Sequence, residues 1–169
     1  YNTQGRLNDT PPGEYNGLTD LGQAQAKATA HQLKEVKFDA LFVSQFHRTR
    51  QTAHILNEHH QLIPLIEPRL NERKMGCEGK LYHEYLHAIQ NDPFHITLPG
   101  GESFQDMKAR IRHFLEELKT NSYENVLIVT HGQPVHVMYG YFHGLSDMKM
   151  YHNEKDDAVK NASVHIFEL

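Results

Sequence analysis

Two short runs, residues 38–43 (FDALFV) and 126–129 (VLIV), are almost wholly apolar, and each passes directly into a helical pattern. A strand that is apolar on both faces must be covered on both faces, as strands inside a parallel sheet are. The rest of the chain offers the covers. Thr19 is placed to cap a helix to about Lys34, with Gly22, Ala26, Ala30 and Leu33 on one side. Ser44 is placed to cap a second helix reaching about His60. Ser103 and Asp106 form a capping-box pattern ahead of a helix to Lys119, whose apolar stripe is Phe104, Met107, Ile111, Phe114, Leu115 and Leu118. A shorter helix fits residues 81–90, stopped by Pro93, and a fifth starts with Pro134 in its first turn. Residues 164–169 read as a last strand. Residues 1–18 and 61–80, with their turn-forming Gly and Pro, read as loops. The expected class is α/β: a three-layer sandwich, a mostly parallel central sheet with helices on both faces. No linker or repeat divides residues 1–169, so a single domain is expected.

Composition narrows the partners. No apolar run approaches the roughly 20 residues of a membrane span. The net charge of -4 gives no general attraction for nucleic acid or acidic membranes, so neither is expected as a partner. Cys77 is the single cysteine, which excludes an internal disulfide and any zinc site built on several thiolates. A reducing compartment, the cytoplasm, fits that count. Oligomeric state is not readable.

Two places look built for an anion. In Ser44-Gln45-Phe46-His47-Arg48 a strand gives way to a helix, and Arg48 falls in the first turns. The helix N-terminus is the positive end of the dipole, so a cation there is disfavoured unless an anion lies between it and the free N–H groups. The alternative is that Arg48 and Arg50 both point to water. In Thr130-His131-Gly132-Gln133-Pro134 a histidine sits at the second junction, and Gly132 permits close backbone approach. Ligands of open α/β sheets bind beyond the carboxyl ends of the strands, so the two junctions can converge on one phosphate. The alternative for His131 is a buried ring bonded to backbone.

His83-Glu84-Tyr85-Leu86-His87 matches the H-E-x-x-H zinc pattern. With 14 histidines in the chain, chance alone gives roughly 0.09 such matches. The extended pattern would need Gly and His where Gln90 and Pro93 stand, and a polar helix face is the competing reading.

Taken in order, the motifs resemble one family. Residues 1–6 (YNTQGR) are similar to the stretch immediately after its Arg-His-Gly signature, and residues 18–26 (LTDLGQAQA) to its first helix. SQFHRTRQTA, residues 44–53, resembles its arginine motif. Leu70-Asn71-Glu72-Arg73 with Gly76 and Glu78-Gly79 resembles its acid loop. Gly101-Glu102-Ser103, Asp106 and Arg110 resemble its late helix, Thr130-His131-Gly132 its second histidine motif, and Asn161-Ala162-Ser163 its last strand. The family is the histidine phosphatase superfamily, in its phosphoglycerate mutase-like branch. Its Arg-His-Gly does not occur in these 169 residues, and the resemblance places it on a strand just before Tyr1.

The resemblance implies a phosphomonoester hydrolase working on a small molecule through a phosphohistidine, with no metal or cofactor. The histidine of the Arg-His-Gly signature would attack phosphorus. Arg48 and His131, with Asn2, would hold the phosphoryl oxygens, helped by backbone N–H groups of Gly132 and Gln133. Glu72 would protonate the leaving oxygen and then deprotonate water. Asn8 falls at a substrate-contacting position where the family usually has glutamine. Arg73 and Lys74 come directly after Glu72 and should favour its charged form, whereas a general acid must hold a proton. Residues 81–94 and 10–17 are expected at the site mouth. Two alternatives stand beside the phosphatase. A phosphoglycerate mutase or bisphosphoglycerate phosphatase is suggested by Asn71-Glu72-Arg73. Against it stand the phosphatase-like Cys77-Glu78-Gly79 and the absence of the mutases' insertion and tail. A catalytically dead phospho-ligand binding module is the outcome if the Arg-His-Gly segment is truly absent.

Overall fold

The computed structural model describes residues 17–77, 79–156 and 159–168, without the side chains of 152–156. Three parallel strands, β1 (Ala40–Val43), β2 (Pro64–Ile66) and β3 (Val126–Val129), lie in the order β2-β1-β3, with Phe42 between Leu65 and Ile128. The Asp39 carboxylate accepts from the N–H groups of Glu124 (2.7 Å) and Asn125 (3.1 Å), which sets where β3 starts against β1.

Successive side chains of a strand point to opposite faces, and here each face meets its own helices. Leu41, Val43, Leu127 and Val129 pack with Ala26 and Ala30 of α1 (Asp20–Leu33) and Ala53, Ile55 and Leu56 of α2 (His47–Leu56). Phe42, Val126 and Ile128 pack with Met107, Ile111, Phe114 and Leu115 of α4 (Phe104–Leu118) and with Val137 and Met138 of α5 (Gly132–His143). Met107 and Ile111 are fully buried, and each such side chain contributes about 1.5–3 kcal/mol of transfer free energy. The capping box forms: Ser103 Oγ accepts from Asp106 N (3.0 Å) and Asp106 Oδ2 from Ser103 N (2.9 Å). A third cluster, Met75, Cys77, Tyr85 and Ile89, sits under the short α3 (Tyr82–Ile89). α6 (Asp147–Asp156) closes onto α5. The architecture is the expected α/β sandwich.

Several local expectations fail for physical reasons. Ser44 does not cap α2. It continues the ladder, its N–H donating to Val129 O (3.1 Å), and the helix starts three residues later after Phe46, which makes no side-chain cap bond. The helical run does reach His59, near the expected His60, but as α2 to Leu56 followed by a 3₁₀ turn over Asn57–His59, where the Asn57 side chain bonds both ways to the backbone of Leu62 and turns the chain. Residues 61–80 contain β2 and a 3₁₀ turn over Pro68–Leu70. β2 is an exposed edge strand, so no apolar periodicity marks it. Residues 164–168 form no ladder with the described strands, and Leu169 lies outside the described residues. That segment lies against helices instead: Thr29 Oγ1 donates to Ala162 O (2.6 Å), and Phe167 stacks on Phe142 at 4.8 Å. β-propensity without a strand edge to pair makes no strand.

Candidate active site

Because the strands are parallel, their carboxyl ends share one edge, and Ser44, Glu67 and Thr130 leave the sheet there. His131 is the N-cap residue of α5 and is buried. Its Nε2 lies 2.7 Å from Ser44 Oγ and its Nδ1 lies 3.1 Å from Arg48 Nη2. Arg48 is the second residue of α2, and its guanidinium carbon lies over the Phe46 ring, 4.4 Å from the centroid, while Phe46 meets His131 edge-on at 4.9 Å. The two junctions thus converge, as the sequence suggested. Burial, then the charges of Arg48 and Arg110, hold the His131 pKa well below the usual histidine range, so the ring is neutral at pH 7. Burial also pulls Arg48 down, opposed by the negative charge of Glu72. Among the described residues the Arg48 guanidinium hydrogen-bonds to this neutral ring and not to a carboxylate. A half-buried cation so placed is stabilised by a ligand that brings negative charge.

Glu72 comes after the 3₁₀ turn, on a loop that its surroundings hold in place. Asn71 exchanges two hydrogen bonds with Gln45 at the end of β1: Gln45 N donates to Oδ1 (2.9 Å), and Nδ2 donates to Gln45 Oε1 (2.8 Å). Thr130 Oγ1 donates to Leu70 O (2.6 Å). From α4, Arg110 donates to Arg69 O (2.6 Å), to Glu72 O (3.3 Å) and through two nitrogens to the Glu102 carboxylate (2.6 and 2.9 Å). Glu102 in turn accepts from Lys74 N (3.0 Å) and donates its own N–H to Lys74 O (2.7 Å). This pairing requires the backbones of 74–76 and 98–101 to touch. A Cβ on Gly76, which has φ +75°, would stand 2.8 Å from Gly101 N. The Glu72 carboxylate accepts from Arg73 N (3.1 Å) and lines a cleft of about 230 Å³ with Phe46, Asn71, Lys74, Glu102 and Arg110. Arg73 does not line it. Its side chain turns into the core, with the guanidinium 5.5 Å from the Tyr85 ring centroid.

Gly132 and Gln133 are the first two residues of α5, and the space where a Gly132 Cβ would sit is open. Arg50 is exposed and borders a separate groove with His47 and His54. Asn2 and Asn8 lie outside the described residues. His83, Glu84 and His87 are all exposed on α3, and Glu84 accepts from Leu81 N (2.8 Å) as a helix cap. Among the described residues no group of three or more His, Cys, Asp or Glu side chains is close enough to hold a metal ion, and no helix is long and apolar enough to cross a membrane. Sequence reading missed the Gln45–Asn71 exchange, the Arg110–Glu102 clamp and the hydrogen bond between the Ser44 and Thr49 hydroxyls (3.1 Å). The one available signal was the resemblance of Glu102 and Arg110 to a family motif.

The family model of the histidine phosphatase superfamily (branch 1) matches residues 1–169. Phosphoserine phosphatase 1 of Hydrogenobacter thermophilus is 31% identical over 143 residues, covering 76% of this chain and 68% of that protein. The 2,3-bisphosphoglycerate-dependent phosphoglycerate mutase of Brucella melitensis is 31% identical over 160 residues, covering 85% and 77%. The crystal structure of the alpha-ribazole phosphatase from Shigella flexneri superposes with a TM-score of 0.79 at 28% identity, over 89% of this chain and 78% of that one. Its relatives being phosphatases and phosphoglycerate mutases, the chain belongs to the histidine phosphatase superfamily, branch 1.

Proposed function

We propose that the protein hydrolyses a small phosphomonoester through a phosphohistidine intermediate and without a metal ion. The observation that carries this reading is the half-buried Arg48 guanidinium resting on neutral His131 at the sheet edge, with Glu72 on a clamped loop nearby. The attacking histidine is that of the family's Arg-His-Gly signature, which these 169 residues do not contain. Attack forms the N–P bond and breaks the P–O bond to the leaving group. Glu72 gives its proton to the departing oxygen. Water then attacks phosphorus, its proton goes to the Glu72 carboxylate, and the N–P bond breaks to release phosphate. Arg48, His131 and the N–H groups of Gly132 and Gln133 meet the charge on the phosphoryl oxygens. Asn2 and Asn8 complete the substrate contacts. Mutase activity is the second reading, favoured by the Brucella relative.

The test is Glu72→Gln, which keeps size and removes the transferable proton. An alkyl phosphate releases a basic alkoxide that needs protonation as the bond breaks, whereas a nitrophenyl phosphate releases a stable phenolate. With enzyme phosphorylation as the first irreversible step, kcat/KM isolates it from the shared dephosphorylation. The expected loss is about 10²–10⁴-fold for alkyl phosphates and clearly smaller for nitrophenyl phosphate. Equal losses would remove Glu72 from the role of acid. Activity abolished by a chelator and restored by zinc would overturn the metal-free mechanism.

A further inference from the structure

Beneath α3, away from the cleft, two buried polar atoms are left unpaired. Arg73 is 2% exposed and Tyr85 3%, and they meet beside Met75, Cys77 and Ile89. The guanidinium carbon of Arg73 stands 5.5 Å from the Tyr85 ring centroid, and its Nε donates to Glu102 O at 3.3 Å. Arg73 Nη2 and Tyr85 Oη are both buried without a hydrogen-bond partner. Among the described residues no carboxylate lies within ion-pair distance of Arg73. Asp106 feels its charge, but Asp106 Oδ2 is engaged by Ser103, accepting from N (2.9 Å) and Oγ (2.7 Å). A guanidinium keeps its charge at any pH a folded protein meets. A buried charge with neither counter-charge nor full hydrogen bonding is costly, and a ring face does not bond its N–H groups. Nor can Tyr85 be the counter-charge. Burial raises its pKa well above the usual phenol range, more than the Arg73 charge lowers it, so the oxygen keeps its hydrogen. Both unpaired atoms thus have hydrogens to donate.

We propose that Arg73 Nη2 and Tyr85 Oη are two donors of an interior site for a small monovalent anion, with the size and charge of chloride. One negative charge balances one guanidinium. The side chains packed around the pair, Met75, Leu86 and Ile89, are apolar, so a sulfate or phosphate would bring a second charge and oxygens that no donor meets. The site is separate from the substrate cleft, which Arg73 does not line. Arg73 follows Glu72 in the chain and its Nε holds Glu102 O, so the anion ties the underside of α3 to the Glu72 loop from behind. It does so whether or not the phosphatase reading holds.

The experiment has a crystal arm and a solution arm. Crystals of the protein grown with bromide in place of chloride are measured at the bromine absorption edge. An anomalous peak in contact with Arg73 Nη2 and Tyr85 Oη is expected; a water, a carboxylate or empty space there overturns the proposal. In solution, urea unfolding is followed for wild type and Tyr85→Phe as chloride replaces gluconate, which is too large for the site, at constant ionic strength. A ligand of the native state acts by mass action, so above its dissociation constant each tenfold rise in chloride should lower the wild-type unfolding constant about tenfold. Tyr85→Phe should need more chloride for the same effect. Its sign in chloride is a separate check. Loss of a hydroxyl that binds a ligand lowers the midpoint, whereas loss of a buried hydroxyl that binds nothing leaves or raises it. A Tyr85→Phe midpoint at or above wild type in chloride overturns the proposal. So does a wild-type midpoint indifferent to chloride, even beside a bromide peak, which would then be binding at crystal concentration only.

Discussion

Arg48 and Arg50 lie two residues apart on α2, hence about 200° apart around it, and the structure sends them to different places. Arg48 turns inward to His131, while Arg50 stands in solvent. Arg48→Ala should therefore lower kcat/KM by about a hundredfold or more, as for a lost oxyanion donor, while Arg50→Ala should cost little. Steady-state kinetics of the two variants check this, and equal losses would mean the wrong arginine has been chosen. Arg48 and His131 were legible in sequence because each comes directly after an apolar run, and a parallel sheet forces both runs to end at one edge. Arg73 shows the limit of such reading. Adjacency in sequence set it beside Glu72, but a loop residue's side chain can leave on the opposite side, and this one goes under Tyr85. Arg110 was legible only as a resemblance, since its partners Arg69, Glu72 and Glu102 are 41, 38 and 8 residues away.

Elements that fold by an apolar stripe were readable, and elements that fold by fitting into others were not. α1, α3 and α4 begin and end close to where caps and prolines predict, and α5 begins with Pro134 in its first turn as expected. α6 has no clean stripe. It docks by setting Met150 against Gly140 of α5 and by ties from Lys108 and Gln105 to Asp147. Gly140→Ala puts two effects in opposition. Alanine in a helix interior gains about 1 kcal/mol over glycine. Its Cβ, however, would overlap Met150 Cγ and Sδ, and Met150 is buried. Overpacking of this kind costs about 1–3 kcal/mol. The net expectation is a loss, read as a lower midpoint in denaturant unfolding; a raised midpoint would mean that Met150 moves aside freely. β2 was illegible for a related reason. Its pairing with β1 is made by backbone, and its side chains face solvent.

For the whole molecule, the buried His131 and His136 and the half-buried His60 set how stability responds to acid. Burial first, with neighbouring charges second, lowers the pKa values of His131, His136 and His60 in the fold. The unfolded chain therefore takes up protons below about pH 6.5 that the native state refuses. More protons on the unfolded side means that stability rises with pH through this window and falls as pH drops below it. His131→Gln should flatten that slope, by up to about 1.4 kcal/mol per pH unit for the one group, as measured by urea unfolding between pH 5 and 7.5. An unchanged slope would show that His131 is protonated in the native state. The Ser44–His131 hydrogen bond has a meaning at this scale too. It joins residues 87 positions apart, one at the tip of each neighbouring strand. Sliding β1 by one residue against β3 would turn every β1 side chain to the other face. It would also carry Ser44 away from the imidazole. The site thus gauges the alignment of its own sheet, and a misaligned chain reports the error as lost activity before it reports it as lost secondary structure.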